Sequence, residues 1–66
     1  MFKNCIREQR KKKGLSQLEV MRKSGIAPNI ISDLERGRLY PYPGWRKRLA
    51  IALDVDEKIL FPEVKE

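Results

Sequence analysis

Glycine and proline cut this 66-residue chain into short pieces, and that punctuation limits its fold more than any other feature. Residues 15–24 and 28–36, on either side of Gly25, are each too short to form a stable helix alone. Both must be held by packing. A chain of this length buries only about 60% of the surface it exposes when unfolded, so a single domain over residues 1–66 is expected, with no separate sensor. One cysteine, Cys5, cannot close an internal disulfide, and without histidine a Cys/His zinc site is unavailable. Apolar packing alone must form the core, which suits a reducing cytoplasm. The start MFKNCIREQRKKK has no apolar leader segment, and no apolar run approaches the roughly 20 residues that span a bilayer. A cytoplasmic protein is expected, neither exported nor membrane-inserted.

Helix signals dominate, and no segment sustains period-2 alternation. The spacing predicts an all-α fold of five short helices. Phe2, Ile6, Gln9 or Arg10, and Lys13 share a face with Cys5 beside it, giving helix one over residues 2–13 with Gly14 as its stop. Ser16 stands at an N-cap position with Glu19 in the first turn, starting helix two over 16–24. Pro28 suits the first turn of helix three, 28–36, where Ile31 and Leu34 turn inward and Gly37 follows. The segment RLYPYPG is a loop. Trp45, Leu49, Ala52 and Leu53 share a face of helix four, 44–53, and Asp54 tolerates a left-handed exit. Asp56 caps helix five, 56–60, and a frayed tail is expected over 62–66.

The charge is uneven. Residues 1–48 hold 13 Lys/Arg against 4 Asp/Glu, net +9, whereas residues 49–66 hold 2 against 5, net −3. A basic body with an acidic end fits a binder of phosphate backbones, although basic residues that merely solvate a small domain give the same balance.

The stretches RxxRKKKGLSQ, KSGIA, IISDLERG and LAIALDVDEKIL, in this order and spacing, resemble the lambda-repressor-like helix-turn-helix domain of the Cro/C1 (Xre) family of transcriptional regulators. The resemblance runs from about residue 3 to residue 61. Some positions depart from the family pattern: Met21 stands for a small alanine, Ser24 for a leucine, Leu18 for a polar residue, and Ala27 for the Ser/Thr cap of the third helix. These put the tilt of helix three in question.

The resemblance implies that helix three enters the major groove of DNA and meets base edges with its N-terminal outward residues. With Ile31 and Leu34 inward, the expected base contacts are Pro28, Asn29, Ser32 and Asp33. A carboxamide pairs with N6 and N7 of adenine, so Asn29 is the best reader. Asp33 is repelled by phosphate and helps only by accepting from cytosine N4 or restraining an arginine. Ile30 is either a thymine-methyl contact or a core residue. Phosphate contacts are expected from Ser16 and Gln17 at the start of helix two, where the family places a glutamine on the backbone, and from Arg36, Arg38, Arg46 and Lys47. Arg10 and Glu35 sit on inward faces, and the family often pairs an arginine and a glutamate at these positions. That pair is a structural one.

Tyr40, Tyr42 and Trp45 beside a basic loop suit base stacking, but Trp45 at helical spacing with Leu49 is better read as core or dimer contact. The expected function is sequence-specific binding of double-stranded DNA as a homodimer on a palindrome, repressing transcription. Leu39 to Trp45, helix five, Phe61 and Val64 are the apolar candidates for the dimer surface. The alternative is a protein-interaction module, antitoxin-like or an antagonist, that keeps the fold and binds a protein partner; Asp33, Pro28, Leu18 and Met21 motivate it. An enzyme is not expected, because there is no histidine, Gly-rich phosphate loop or carboxylate pair beside a cleft. No cofactor or metal is implied.

Overall fold

A computed structural model describes residues 2–64. Five helices form among the described residues: α1 Ile6–Lys12, α2 Gln17–Ser24, α3 Pro28–Glu35, α4 Pro43–Leu53 and α5 Glu57–Leu60. There is no strand among them. Met1 lies outside the described residues, and the tail expected over 62–66 is described only to residue 64.

Each helix sends a few apolar side chains to one core: Ile6 from α1, Val20 from α2, Ile31 and Leu34 from α3, Leu49 and Leu53 from α4, and Leu60 from α5. Ile26 and Phe61 complete it from the connecting segments. Helix α4 is the central support, packing on α1, α2 and α5, while α3 rests on α1 and α2. Phe61 is therefore core, which corrects its reading as a dimer contact, and Val64 packs against the core while staying partly exposed.

Local chemistry sets the start and orientation of α2 and α3. Ser16 Oγ accepts from the Glu19 N–H at 3.1 Å, and the Glu19 carboxylate accepts from the Ser16 N–H at 3.1 Å, so a full capping box starts α2. Gly25 ends it in the left-handed region, φ 73°. Ser24, buried where the family has an apolar residue, is satisfied because its Oγ accepts from the Ile26 N–H at 3.2 Å. Met21 packs against the core. At α3 the Ala27 cap makes no side-chain bond, and Pro28 at the first position removes one unsatisfied N–H.

The first helix is shorter than expected. Residues 2–5 are not helical, and Phe2 is exposed rather than inward. Asn4 is the reason: its side-chain oxygen accepts from the Ile6 N–H at 3.1 Å, and its Nδ2 donates to the Leu34 carbonyl at 2.6 Å. Asparagine thereby offers the backbone an alternative to the helix. The Phe2 N–H donates to the Gly37 carbonyl at 3.0 Å and the Cys5 N–H to the Leu60 carbonyl at 2.8 Å, so this segment straps the ends of α3 and α5.

Candidate nucleic-acid interface

Two anchors hold α3 from within. Ile31 and Leu34 are fully buried, and next to them Glu35 lies beneath Arg10. Arg10 Nε donates to Glu35 Oε2 at 2.8 Å, Nη2 to Oε1 at 3.3 Å, and Nη1 to the Leu15 carbonyl at 2.9 Å. Gln17 Nε2 adds a bond to Glu35 Oε1 at 3.2 Å. One carboxylate thus ties α1, the start of α2 and the end of α3, which fixes the roll of α3 about its axis. Desolvation offsets much of the attraction in such a pair, so its main effect is orientation.

With that roll set, Pro28 and Asn29 are exposed at the N-terminus of α3, and Ser32 and Asp33 are half-buried. Ile30 packs against the core and stays partly exposed. Asp33 Oδ1 lies 3.9 Å from Arg38 Nη1, and both side chains are open to water, so the pair is loose and contributes at most about 1 kcal/mol. The Arg38 N–H donates to the Asp33 carbonyl at 2.9 Å, which keeps the two residues adjacent.

The start of α2 supplies backbone donors. Glu19 N–H is taken by Ser16 and the Ser16 N–H by Glu19, which leaves the Gln17 and Leu18 N–H groups without an intrahelical acceptor. Ser16 is exposed, Gln17 half-buried, and Arg36, Arg38 and Lys47 exposed. Ser32, Gln17 and Arg36 line one recess of about 230 Å³ together with Arg7, Arg10 and Glu35. Arg7 was not legible as part of this set from composition, although it precedes Arg10 by three residues and so shares its helical face.

Arg46 does not belong to the surface. It is 1% exposed, with Nε donating to Glu57 Oε1 at 2.7 Å and Nη1 to the Pro41 carbonyl at 2.6 Å. Its expected phosphate contact is therefore corrected: the guanidinium joins the α3–α4 loop, α4 and α5 inside the domain. The signal was present, since residues 46, 49 and 53 share a stripe of α4 with two core leucines.

The aromatics form a chain of edge-to-face contacts: Phe2 to Tyr40 at 5.4 Å, Tyr40 to Tyr42 at 4.9 Å and Tyr42 to Trp45 at 5.9 Å between ring centroids. The rings brace one another along the loop, Trp45 also packs on the core, and Phe2, Tyr40 and Tyr42 stay exposed. Among the described residues no helix is long and apolar enough to cross a membrane, and no group of acidic or cysteine side chains is placed to hold a metal.

The helix-turn-helix family profile matches residues 6–43, more than half of the chain and all of α1, α2 and α3. The chain belongs to the Cro/C1-type helix-turn-helix family. It is also similar to the ImmF control region 10 kDa protein of Bacillus phage phi105, at 34% identity over 55 residues. That match covers 83% of this chain and 61% of the relative, so the chain spans less than two thirds of the relative's length. No solved structure gives a significant match. Within the helix-turn-helix family pattern, α2 and α3 are the paired helices and Gly25 their turn.

Proposed function

We propose that this protein is a sequence-specific double-stranded DNA-binding regulator of transcription, a repressor that occupies a palindromic operator as a homodimer with α3 in the major groove. Family membership supports DNA as the partner, and the control-region name of the phage relative supports a regulatory task. The observation that carries the reading is the fixed roll of α3: the Arg10–Glu35–Gln17 network leaves Asn29 and Pro28 outward while unsatisfied donors of α2 stand beside the same helix.

In this reading Pro28, Asn29, Ser32 and Asp33 meet bases, and Ser16, Gln17, Arg36, Arg38 and Lys47 meet phosphates. Asp33, next to Arg38, discriminates through cytosine N4 while the arginine tempers its repulsion from the backbone. One such domain covers about half a site, and two copies reach half-sites about 10 bp apart. Exposed Tyr42, Ile51 and Ile59 are the apolar groups available to join them.

The test is methylation protection of guanine N7 in the major groove and adenine N3 in the minor groove of a bound duplex, with the stoichiometry of the complex measured by sedimentation. Two copies per duplex and protection in successive major grooves are expected. One copy per duplex, or protection confined to the minor groove, contradicts the reading.

A further inference from the structure

We propose that the exposed aromatic row Phe2, Tyr40 and Tyr42 is a second nucleic-acid site, which takes unpaired bases of a single strand on its rings while the cations around it hold the strand's phosphates. The inference goes beyond duplex recognition by α3 and does not depend on it.

The rings are fixed without being covered. Each touches the next edge to face, at 5.4 Å between Phe2 and Tyr40 and 4.9 Å between Tyr40 and Tyr42, yet 44% of Phe2, 40% of Tyr40 and 60% of Tyr42 is exposed. Backbone bonds hold both ends of the row: the Phe2 N–H donates to the Gly37 carbonyl and the Tyr42 N–H to the Tyr40 carbonyl, each at 3.0 Å. Behind Tyr42 stands Trp45, which packs against the core. Rings held in this way lose little freedom when a ligand settles on them.

Charge selects the ligand. Lys3 and Arg36 line one recess with Phe2, Arg38 stands two residues before Tyr40, and Lys47 follows Trp45 by two; all four cations are exposed. Of the carboxylates nearby, Glu35 is taken by Arg10 and Asp33 faces Arg38, and Glu63 shares the Phe2 recess. A polyanion that carries flat π-faces meets both features, because bases stack on aromatic side chains while a basic surround follows the backbone. A duplex does not suit this row: its bases are stacked on one another, and only an unpaired strand can turn them onto a side chain. A proline-rich peptide also docks on aromatic rings but gains nothing from the cations. A second copy joined through the row by a two-fold axis brings each cation toward its own symmetry mate, which like charge opposes.

The experiment titrates the full chain with a labelled oligothymidylate and with an abasic strand of the same length, which carries the same phosphates and no bases, at several salt concentrations. Wild type is expected to bind the oligothymidylate about tenfold more tightly, and the ratio holds as salt rises because both strands lose phosphate attraction alike. Tyr42→Ser and Phe2→Ser are each expected to cut that ratio several-fold. Both keep the fold: serine is favoured at the N-cap of α4, where Tyr42 stands, and the bonds of Phe2 run through its backbone. Equal affinity of wild type for the two strands leaves phosphate attraction alone and overturns the proposal. A ratio unchanged in both variants also overturns it, and loss of self-association in Tyr42→Ser, or of binding to a proline-rich peptide, then names the occupant instead. Failure of wild type to bind any duplex overturns the reading of α3 and leaves this site standing.

Discussion

Glu35 receives Arg10 Nε at 2.8 Å with 11% of the arginine side chain and 4% of the glutamate exposed, and this contact decides which residues of α3 face outward. Replacing Glu35 by alanine leaves a guanidinium in the interior with its carboxylate gone, a loss of about 3–5 kcal/mol. At about 4–8 °C per kcal/mol for a domain of this size, the melting temperature falls steeply. The paired change Arg10→Met with Glu35→Leu recovers part of that loss, because neither charge is then stranded. Thermal melts of the single and double variants check this, and an unchanged melting temperature in Glu35→Ala contradicts it.

Arg46 and Lys47 are neighbours in sequence with opposite fates. Arg46→Ala removes the charged hydrogen bonds to Glu57 and the Pro41 carbonyl and is expected to destabilise by about 3 kcal/mol. Lys47→Ala, at an exposed position, changes stability by less than about 0.5 kcal/mol and weakens duplex binding. Urea unfolding of both variants separates them.

Gly37 has φ 74°, and a Cβ there meets the Phe2 carbonyl oxygen at 2.7 Å. Gly37→Ala therefore adds a backbone clash to a left-handed penalty and costs about 2–3 kcal/mol. Gly25 has φ 73° with nothing within 4 Å of the added carbon, so Gly25→Ala costs only about 1–2 kcal/mol. Equal losses in denaturant unfolding contradict the proposed strap of residues 2–5 across the end of α3.

Arg38 is open to water and only loosely paired with Asp33. Arg38→Ala is expected to weaken all duplexes by a similar factor and to lower the salt slope by about 1 for each bound copy. Titrations of two unrelated duplexes at several salt concentrations test it; a loss confined to one sequence contradicts a backbone role.

What the sequence disclosed follows the range of the interactions involved. The Ser16 cap, the Gly25 turn, the left-handed Asp54 at φ 53° and the Asp56 cap on Lys58 N–H all act within a few residues, and each was readable. The start of α1 was not, because Asn4 gains its bond from Leu34, 30 residues away, and Cys5 from Leu60. A helical pattern over residues 2–13 is blind to acceptors that appear only when the chain closes. The same holds for the site. Resemblance to the family put Arg10 opposite Glu35, and the inward placement of Ile31 and Leu34 put Asn29 outside, but the sharing of one recess by Arg7 and Arg36 exists only in three dimensions. Arg46 shows the reverse error, since charge alone assigned it to the surface and its neighbours Leu49 and Leu53 placed it within.

Selection of bound duplexes from a random pool, run in parallel with wild type and Asn29→Ala, tests most directly whether α3 reads DNA. Wild type is expected to enrich a palindrome, and Asn29→Ala to lose preference at one symmetric pair of positions, where the carboxamide supplies about 1–3 kcal/mol of discrimination. An identical motif from both proteins removes Asn29 as a base reader. Binding by wild type with no enriched motif, fading as salt rises, leaves only backbone attraction and contradicts sequence-specific recognition by α3.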